Sequence, residues 1–281
     1  MVKARKLSVS SVKGWVLTLT AVAAAAILAS CAQSPTGRSQ LQLLSSSQLD
    51  QMGDKSYQEM KAQEQVSKDA KVNAYVQCIA DALIAELPAP YAEQPWEVNV
   101  FVSDQVNAFA LPGGHIGVYQ GLLKVAETPA QLAAVMGHEI GHVIAGHSNE
   151  RLSTNMVAGL GLEVAGAYIA GNTDNNTAGL IMAGLGLGTQ VGVILPFSRT
   201  HESEADALGL DYMAAAGFDP AAAADLWRNM AAQGGKAPLE FLSTHPSPQS
   251  RINAIEKRLP EVTPIYQRRQ QQGDLPNCRR P

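Results

Sequence analysis

The run His138-Glu139-Ile140-Gly141-His142 constrains this 281-residue chain more than any other feature. Histidines four apart lie one turn apart on the same face of an α-helix, so both imidazoles reach one ion at roughly 2.0–2.1 Å. Glu139 points to a neighbouring sector, where it touches a water on that ion without ligating the metal. The flanking sequence supplies the helix that this geometry needs. Thr128 can cap it, Pro129 suits its first turn, and Gln131 stands three after Thr128 as in a capping box. An Ala-rich run through Leu132, Val135, Met136 and Ile140 carries it to about Arg151. The alternative, two surface histidines on an ordinary helix, leaves Glu139 unused.

A catalytic zinc takes three protein ligands and keeps a fourth position for water. A third histidine in the pattern H-E-x-x-H-x-x-G-x-x-H fails here, because Ala145 and Ser148 stand at those positions. On a continuous helix His147 falls about half a turn round from His138, which makes it a surface or outer-layer histidine. At Glu202-Ser203-Glu204-Ala205-Asp206 the chain resembles the HtpX/Oma-type and CAAX-prenyl-protease family of zinc metallopeptidases. The mark of that family is H-E-x-x-H followed some tens of residues later by E-x-x-A-D. The resemblance implies Glu202 as third zinc ligand and Asp206 as acceptor for an imidazole N–H, with His201 and Glu204 as bystanders.

Two further segments carry the same resemblance. Asn107-Ala108-Phe109-Ala110-Leu111-Pro112-Gly113-Gly114 corresponds to the stretch bordering the family's cleft, where an extended substrate could pair with an edge strand. Ser243-Thr244-His245-Pro246, followed by Arg251-Ile252, corresponds to a late T-H-P motif. It implies that His245 lies near the metal, stabilising an oxyanion or capping the ion; otherwise it is a loop histidine before a helix. The likeness runs from about Ser45 to Arg258 and is nearest the LoiP/YcaL lipoprotein branch. The implied fold is α+β, mainly helical: a zincin-like (gluzincin) domain with a small β-sheet beside the metal helix.

Residues 1–30 read as a lipoprotein signal peptide. Lys3, Arg5, Lys6 and Lys13 precede an apolar stretch from Trp15 to Leu28 that is short for a bilayer span. Leu28-Ala29-Ser30-Cys31 resembles a lipobox, with Cys31 lipidated, and Ala32 rather than Asp points to the outer membrane. Four of the 21 basic residues and none of the 25 acidic ones lie in this segment, leaving 17 against 25, formally −8. That balance argues against nucleic-acid binding. In an oxidising compartment the remaining Cys78 and Cys278 suggest a disulfide; the alternative is a buried apolar Cys78 and a free Cys278.

The reading divides the chain into signal peptide (1–30), lipidated polar tether (31–46), metallopeptidase domain (47–260) and a partly ordered polar tail (261–281). Helical periodicity predicts two helices between Ser47 and Leu87, and others over Arg199–Ala215, Pro220–Ala232 and Pro248–Arg258. Strands are expected at Trp96–Val102, at Asn107–Leu111 and at His115–Tyr119 around a Gly-rich turn. Residues 156–170 and 178–196 are nearly uncharged and read as packed or mobile helices rather than a membrane-dipping hairpin.

The expected activity is that of a zinc metalloendopeptidase with one Zn2+ per chain. It would hydrolyse misfolded or misassembled envelope polypeptides with a water activated by Glu139. A chaperone-like periplasmic lipoprotein with a structural or capped zinc site is the alternative. No Gly-x-Ser-x-Gly run supports serine catalysis.

Overall fold

The computed structural model describes residues 31–157, 198–233, 245 and 248–281. The expected signal peptide and nearly all of the two uncharged runs between 156 and 196 lie outside the described residues.

The segment read as a tether is folded. Strands β1 (Cys31–Gln33) and β2 (Ser39–Leu41) pair antiparallel, with Gly37 in the turn at φ 85°. Helix α1 (Ser46–Gln63) opens on a capping box between Ser45 and Gln48. Helix α2 (Ala70–Ile84) is capped by Asp69 and buries Tyr75, Val76, Ile79 and Leu83. Both match the helical periodicity between Ser47 and Leu87.

The sheet is small, with order β3-β5-β4. Strands β3 (Glu97–Phe101) and β5 (His115–Tyr119) run parallel, while β4 (Ala108–Leu111) pairs antiparallel with β5. The β4–β5 turn needs Gly113 and Gly114, both at positive φ (87° and 83°). All of β5 is buried, and β4 is an outer strand against the helix over residues 129–144. The short α3 (Gln120–Val125) follows.

Helix α4 (Pro129–Ile144) begins as its sequence predicts, with Thr128 accepting from the Gln131 N–H and Pro129 in the first turn. It ends earlier than about Arg151. Ala145 caps it, Gly146 takes φ 66°, and a new helix, α5, runs over 147–157. Helix α6 (Arg199–Ala215), capped by Ser198, lies across α4 at backbone contact. A Cβ built on Gly209 would stand 2.8 Å from the His138 backbone nitrogen, and one on Gly141 2.9 Å from the Ala205 carbonyl oxygen. Side chains at these positions would force the helices apart.

Helix α7 (Ala221–Gln233) and helix α8 (Pro248–Gln272) complete the described core. Helix α8 continues nearly four turns beyond the predicted Arg258, to Gln272. Pro260 and Pro264 sit four apart on its exposed side, where water can satisfy the carbonyls that they leave unbonded, while Val262 is buried. The expected loose tail is therefore mostly helix. Its last residues are pinned by a Cys78–Cys278 disulfide that spans 200 residues of chain and holds the C-terminus on α2. No helix among the described residues is long and apolar enough to cross a membrane.

Candidate metal centre

The contact of α4 with α6 brings the two halves of the sequence signature together. His138 and His142 point from α4 towards Glu202 on α6, and His245 reaches the same point from the segment before α8. All four are buried, and one donor atom from each lies within 4.8 Å of the others. Nε2 of His138 is 3.0 Å from Nε2 of His142 and 3.3 Å from Nδ1 of His245. Glu202 places Oε1 3.5 Å from His142 Nε2 and Oε2 3.6 Å from His138 Nε2. A tetrahedron with bonds of 2.0–2.1 Å has edges of roughly 3.3–3.4 Å, so these spacings are those of donors around one zinc-sized ion. The set of imidazoles and one carboxylate is also the chemistry that such an ion takes.

Electrostatics agree with that donor role. Burial and the Arg251 charge push the His138 imidazole down to about 4, and burial drives His142 well below its ordinary value. Both rings are therefore neutral near pH 7 and offer lone pairs. Burial alone would raise Glu202, but the neighbouring His142, His245 and His138 rings hold its carboxyl well below the usual range. It is a carboxylate.

Glu139 differs. Burial pushes its carboxyl up to about 7, with Glu202 adding to the rise and His245 opposing it. Its Oε1 is buried without a hydrogen-bond partner, 3.5 Å from His245 Nε2. A proton acceptor near neutrality, beside the donor cluster and outside it, is what a general base requires.

Asp206 sits one turn beyond Glu202, with Oδ1 3.0 Å from His138 Nδ1. Arg251 Nη2 lies 2.9 Å from the same nitrogen, and Nε2 faces the other donors. Arg251, whose place but not role was visible in the sequence, projects from α8 into the same buried space. Its Nε donates to Asp206 Oδ2 at 2.7 Å and its Nη1 to Glu202 Oε2 at 2.7 Å, and Nη2 makes a shorter contact with Asp206 Oδ1. The guanidinium lies over the Trp227 ring at 3.8 Å. One arginine thus compensates two buried carboxylates.

His147 lies in the layer behind His142 rather than at the surface, and His201 and Glu204 join it there. The break at Gly146 turns the chain, so His147 is fully buried, with Nδ1 2.8 Å from His142 Nδ1 and Nε2 3.1 Å from Glu204 Oε2. A continuous helix would have turned it away. His201 stacks on His147 at 4.3 Å and contacts Glu150. Cys31 begins β1, away from this cluster in sequence, and Cys78 of α2 pairs with Cys278 beyond the end of α8.

This arrangement stands beside similarity to known proteins. The chain is 41% identical over 170 residues to the mitochondrial metalloendopeptidase OMA1 of Schizosaccharomyces pombe, covering 59% of this chain and 48% of that protein. It is 29% identical over 221 residues to the beta-barrel assembly-enhancing protease of Yersinia pestis, covering 76% and 44% respectively. Against the mitochondrial metalloendopeptidase OMA1 of Bos taurus the identity is 31% over 245 residues, 82% of this chain and 46% of the other. The chain spans less than half the length of each of these relatives. The sequence pattern of Peptidase family M48 matches residues 70–259, a range that contains all four residues of the buried donor cluster, Glu139, Asp206 and Arg251. With its signature residues assembled in one buried cluster, the chain belongs to Peptidase family M48.

Proposed function

We propose that this protein is a zinc-dependent metalloendopeptidase in which His138, His142 and Glu202 hold one Zn2+ and Glu139 is the general base. The observation that carries this reading is the buried Glu139 carboxyl, raised to about 7 and short of a hydrogen-bond partner at Oε1, beside a donor set with zinc-like spacings. A zinc ion held there would supply Lewis acidity for a bound water and for the scissile carbonyl. Glu139 takes the proton from the attacking water and passes it to the leaving amine. Asp206 fixes the His138 ring through Nδ1, and Arg251 keeps Glu202 and Asp206 charged and aligned. The outer strand β4 offers a backbone edge to an extended polypeptide next to α4.

His245 occupies the fourth corner of the donor cluster, where a catalytic zinc keeps its water. That position favours the capping role over the oxyanion role. It also favours the second reading, a chaperone-like lipoprotein with a permanently capped ion. We assign the substrates as misfolded or misassembled envelope polypeptides, in line with the assembly role in the name of the Yersinia relative. The signal-like residues 1–30 and the lipobox ending at Cys31 support a lipid-anchored protein of the bacterial envelope, of the LoiP/YcaL type, on the periplasmic face of the outer membrane.

Digestion of casein by the wild type, Glu139→Gln and His245→Ala, with zinc content measured on each, tests the assignment. Glu139→Gln should keep zinc and lose cleavage by about 10²–10⁴-fold. His245→Ala should keep zinc and cleave at least as well as the wild type. Undiminished cleavage by Glu139→Gln would overturn the mechanism. Absence of cleavage by both the wild type and His245→Ala would favour the chaperone reading.

A further inference from the structure

Behind His142 runs a chain of polar groups that leads out of the metal cluster to the N-terminal hairpin. His142 Nδ1 meets His147 Nδ1 at 2.8 Å, and His147 Nε2 meets Glu204 Oε2 at 3.1 Å. Glu204 also accepts from Thr36 Oγ1 at 2.5 Å and from Arg38 Nε at 3.0 Å. Arg38 then grips Glu150 with both terminal nitrogens, at 2.7 Å and 2.6 Å. The hairpin is seated by further contacts on the same region. Gln40 Nε2 donates to the Ala145 carbonyl at 2.6 Å, where α4 ends, and Leu43 N donates to Ser153 Oγ at 2.8 Å.

Proton counting gives this chain a direction. A carboxylate only accepts, so His147 carries its proton on Nε2, towards Glu204. Its Nδ1 is then an acceptor, so the proton between the two rings belongs to His142 Nδ1. His142 is thereby fixed as the tautomer whose lone pair is on Nε2, the atom facing His138 and Glu202. The opposite arrangement would place a hydrogen where the ion must sit.

We infer that His147 and Glu204 are positioning residues for His142, and that the N-terminal hairpin, through Arg38 and Thr36, holds this pair in the arrangement that lets His142 bind metal. The inference rests on reading His142 as a zinc ligand. It makes docking of residues 31–41 a determinant of metal affinity, although no hairpin residue belongs to the donor cluster.

The test uses the full-length protein and two readouts: the zinc dissociation constant by competition with a chromophoric chelator, and the visible absorption of the Co2+-substituted form. His147→Ala should weaken zinc by about 10–100-fold and alter the cobalt spectrum, with one ion still bound per chain. Glu204→Gln should weaken it by about tenfold. Arg38→Ala should weaken zinc in the wild-type background but add nothing to His147→Ala, because both act through one path. A wild-type zinc constant and cobalt spectrum in His147→Ala would overturn the inference. Additive losses in the Arg38/His147 double variant would overturn the link to the hairpin. Should His147→Ala fail to fold, Glu204→Gln and Arg38→Ala decide by the same measurements. A wild type that binds no zinc, or a His142→Ala variant that binds it equally well, defeats the underlying assignment instead.

Discussion

The two histidines of α4 are held from behind in different ways. His138 has its carboxylate, Asp206, directly beside Nδ1 at 3.0 Å, whereas His142 reaches its carboxylate, Glu204, through the ring of His147. Both carboxylates lie on α6, two residues apart, and each is clamped by an arginine from an opposite end of the described chain. Arg251 comes from α8 and its side chain is 4% exposed, while Arg38 comes from the hairpin and is 25% exposed. A buried guanidinium between two buried carboxylates cannot leave without stranding both. A quarter-exposed one can exchange its partners for water. The direct arm is therefore a fixture of the core, and the relayed arm is the one that can loosen.

Replacing Arg251 by Leu is the strongest way to break this contrast, because Glu202 and Asp206 would be left charged and buried without their shared guanidinium. The cost should be about 3–5 kcal/mol by urea denaturation; a loss below about 1 kcal/mol would remove the distinction between the arms. Removing the disulfide with Cys78→Ala and Cys278→Ala should cost about 2–4 kcal/mol, since it closes a long loop. Zinc affinity should stay unchanged, because the bridge lies outside both arms.

Gly209→Ala should cost about 1–3 kcal/mol and, unlike the disulfide variant, weaken zinc, since it separates the helices that carry all three proposed ligands. Arg38→Leu should cost at most about 1 kcal/mol in global stability, and its effect should be local. Amide exchange over residues 31–44 should rise while α8 stays protected.

Acid gives the mildest test. Burial would raise Glu204, but bonds from Ser34, Thr36, His147 and Arg38 hold it down to about 2, against an ordinary 4.5. A lowered carboxylate contributes its stability above the ordinary value and loses it as pH falls through the folded one. Amide exchange of the metal-free hairpin should therefore quicken between about pH 4.5 and about pH 2.

The two arms also differ in how far they could be read from the sequence. Glu202 and Asp206 stand at a fixed spacing on one helix face, and His138 and His142 likewise, so local periodicity plus a familiar pattern sufficed. The strands flanking Pro112-Gly113-Gly114 and the cap of α4 were legible for the same reason: each is a local device. The relayed arm needed knowledge of a break. Gly146 redirects the chain by adopting positive φ, and a helix extrapolated through it puts His147 on the wrong side. Glu204 looked idle because its partners, Thr36 and Arg38, lie more than 160 residues away in a stretch whose polar composition resembles a linker. Arg251 was visible as a residue, but nothing local told that it would enter the core. The helix through Pro260 and Pro264 was hidden because proline counts against a helix unless its outward face is known.

Where α4 crosses α6, peptide backbone lies on peptide backbone. A Cβ on Gly137 would come within 3.1 Å of the Gly209 carbonyl oxygen, and the opposing additions at Gly209 and Gly141 would meet atoms at 2.8 Å and 2.9 Å. Most helix pairs are separated by side chains, which hop between rotamers and act as springs of variable length. Here the gap between His138 and Glu202 is set by two nearly incompressible rods in contact. Catalytic geometry tolerates errors of only about 0.5 Å. At this crossing side chains are left out of the contact, so the spacing of the two backbones that carry His138, His142 and Glu202 varies only as the main chain does.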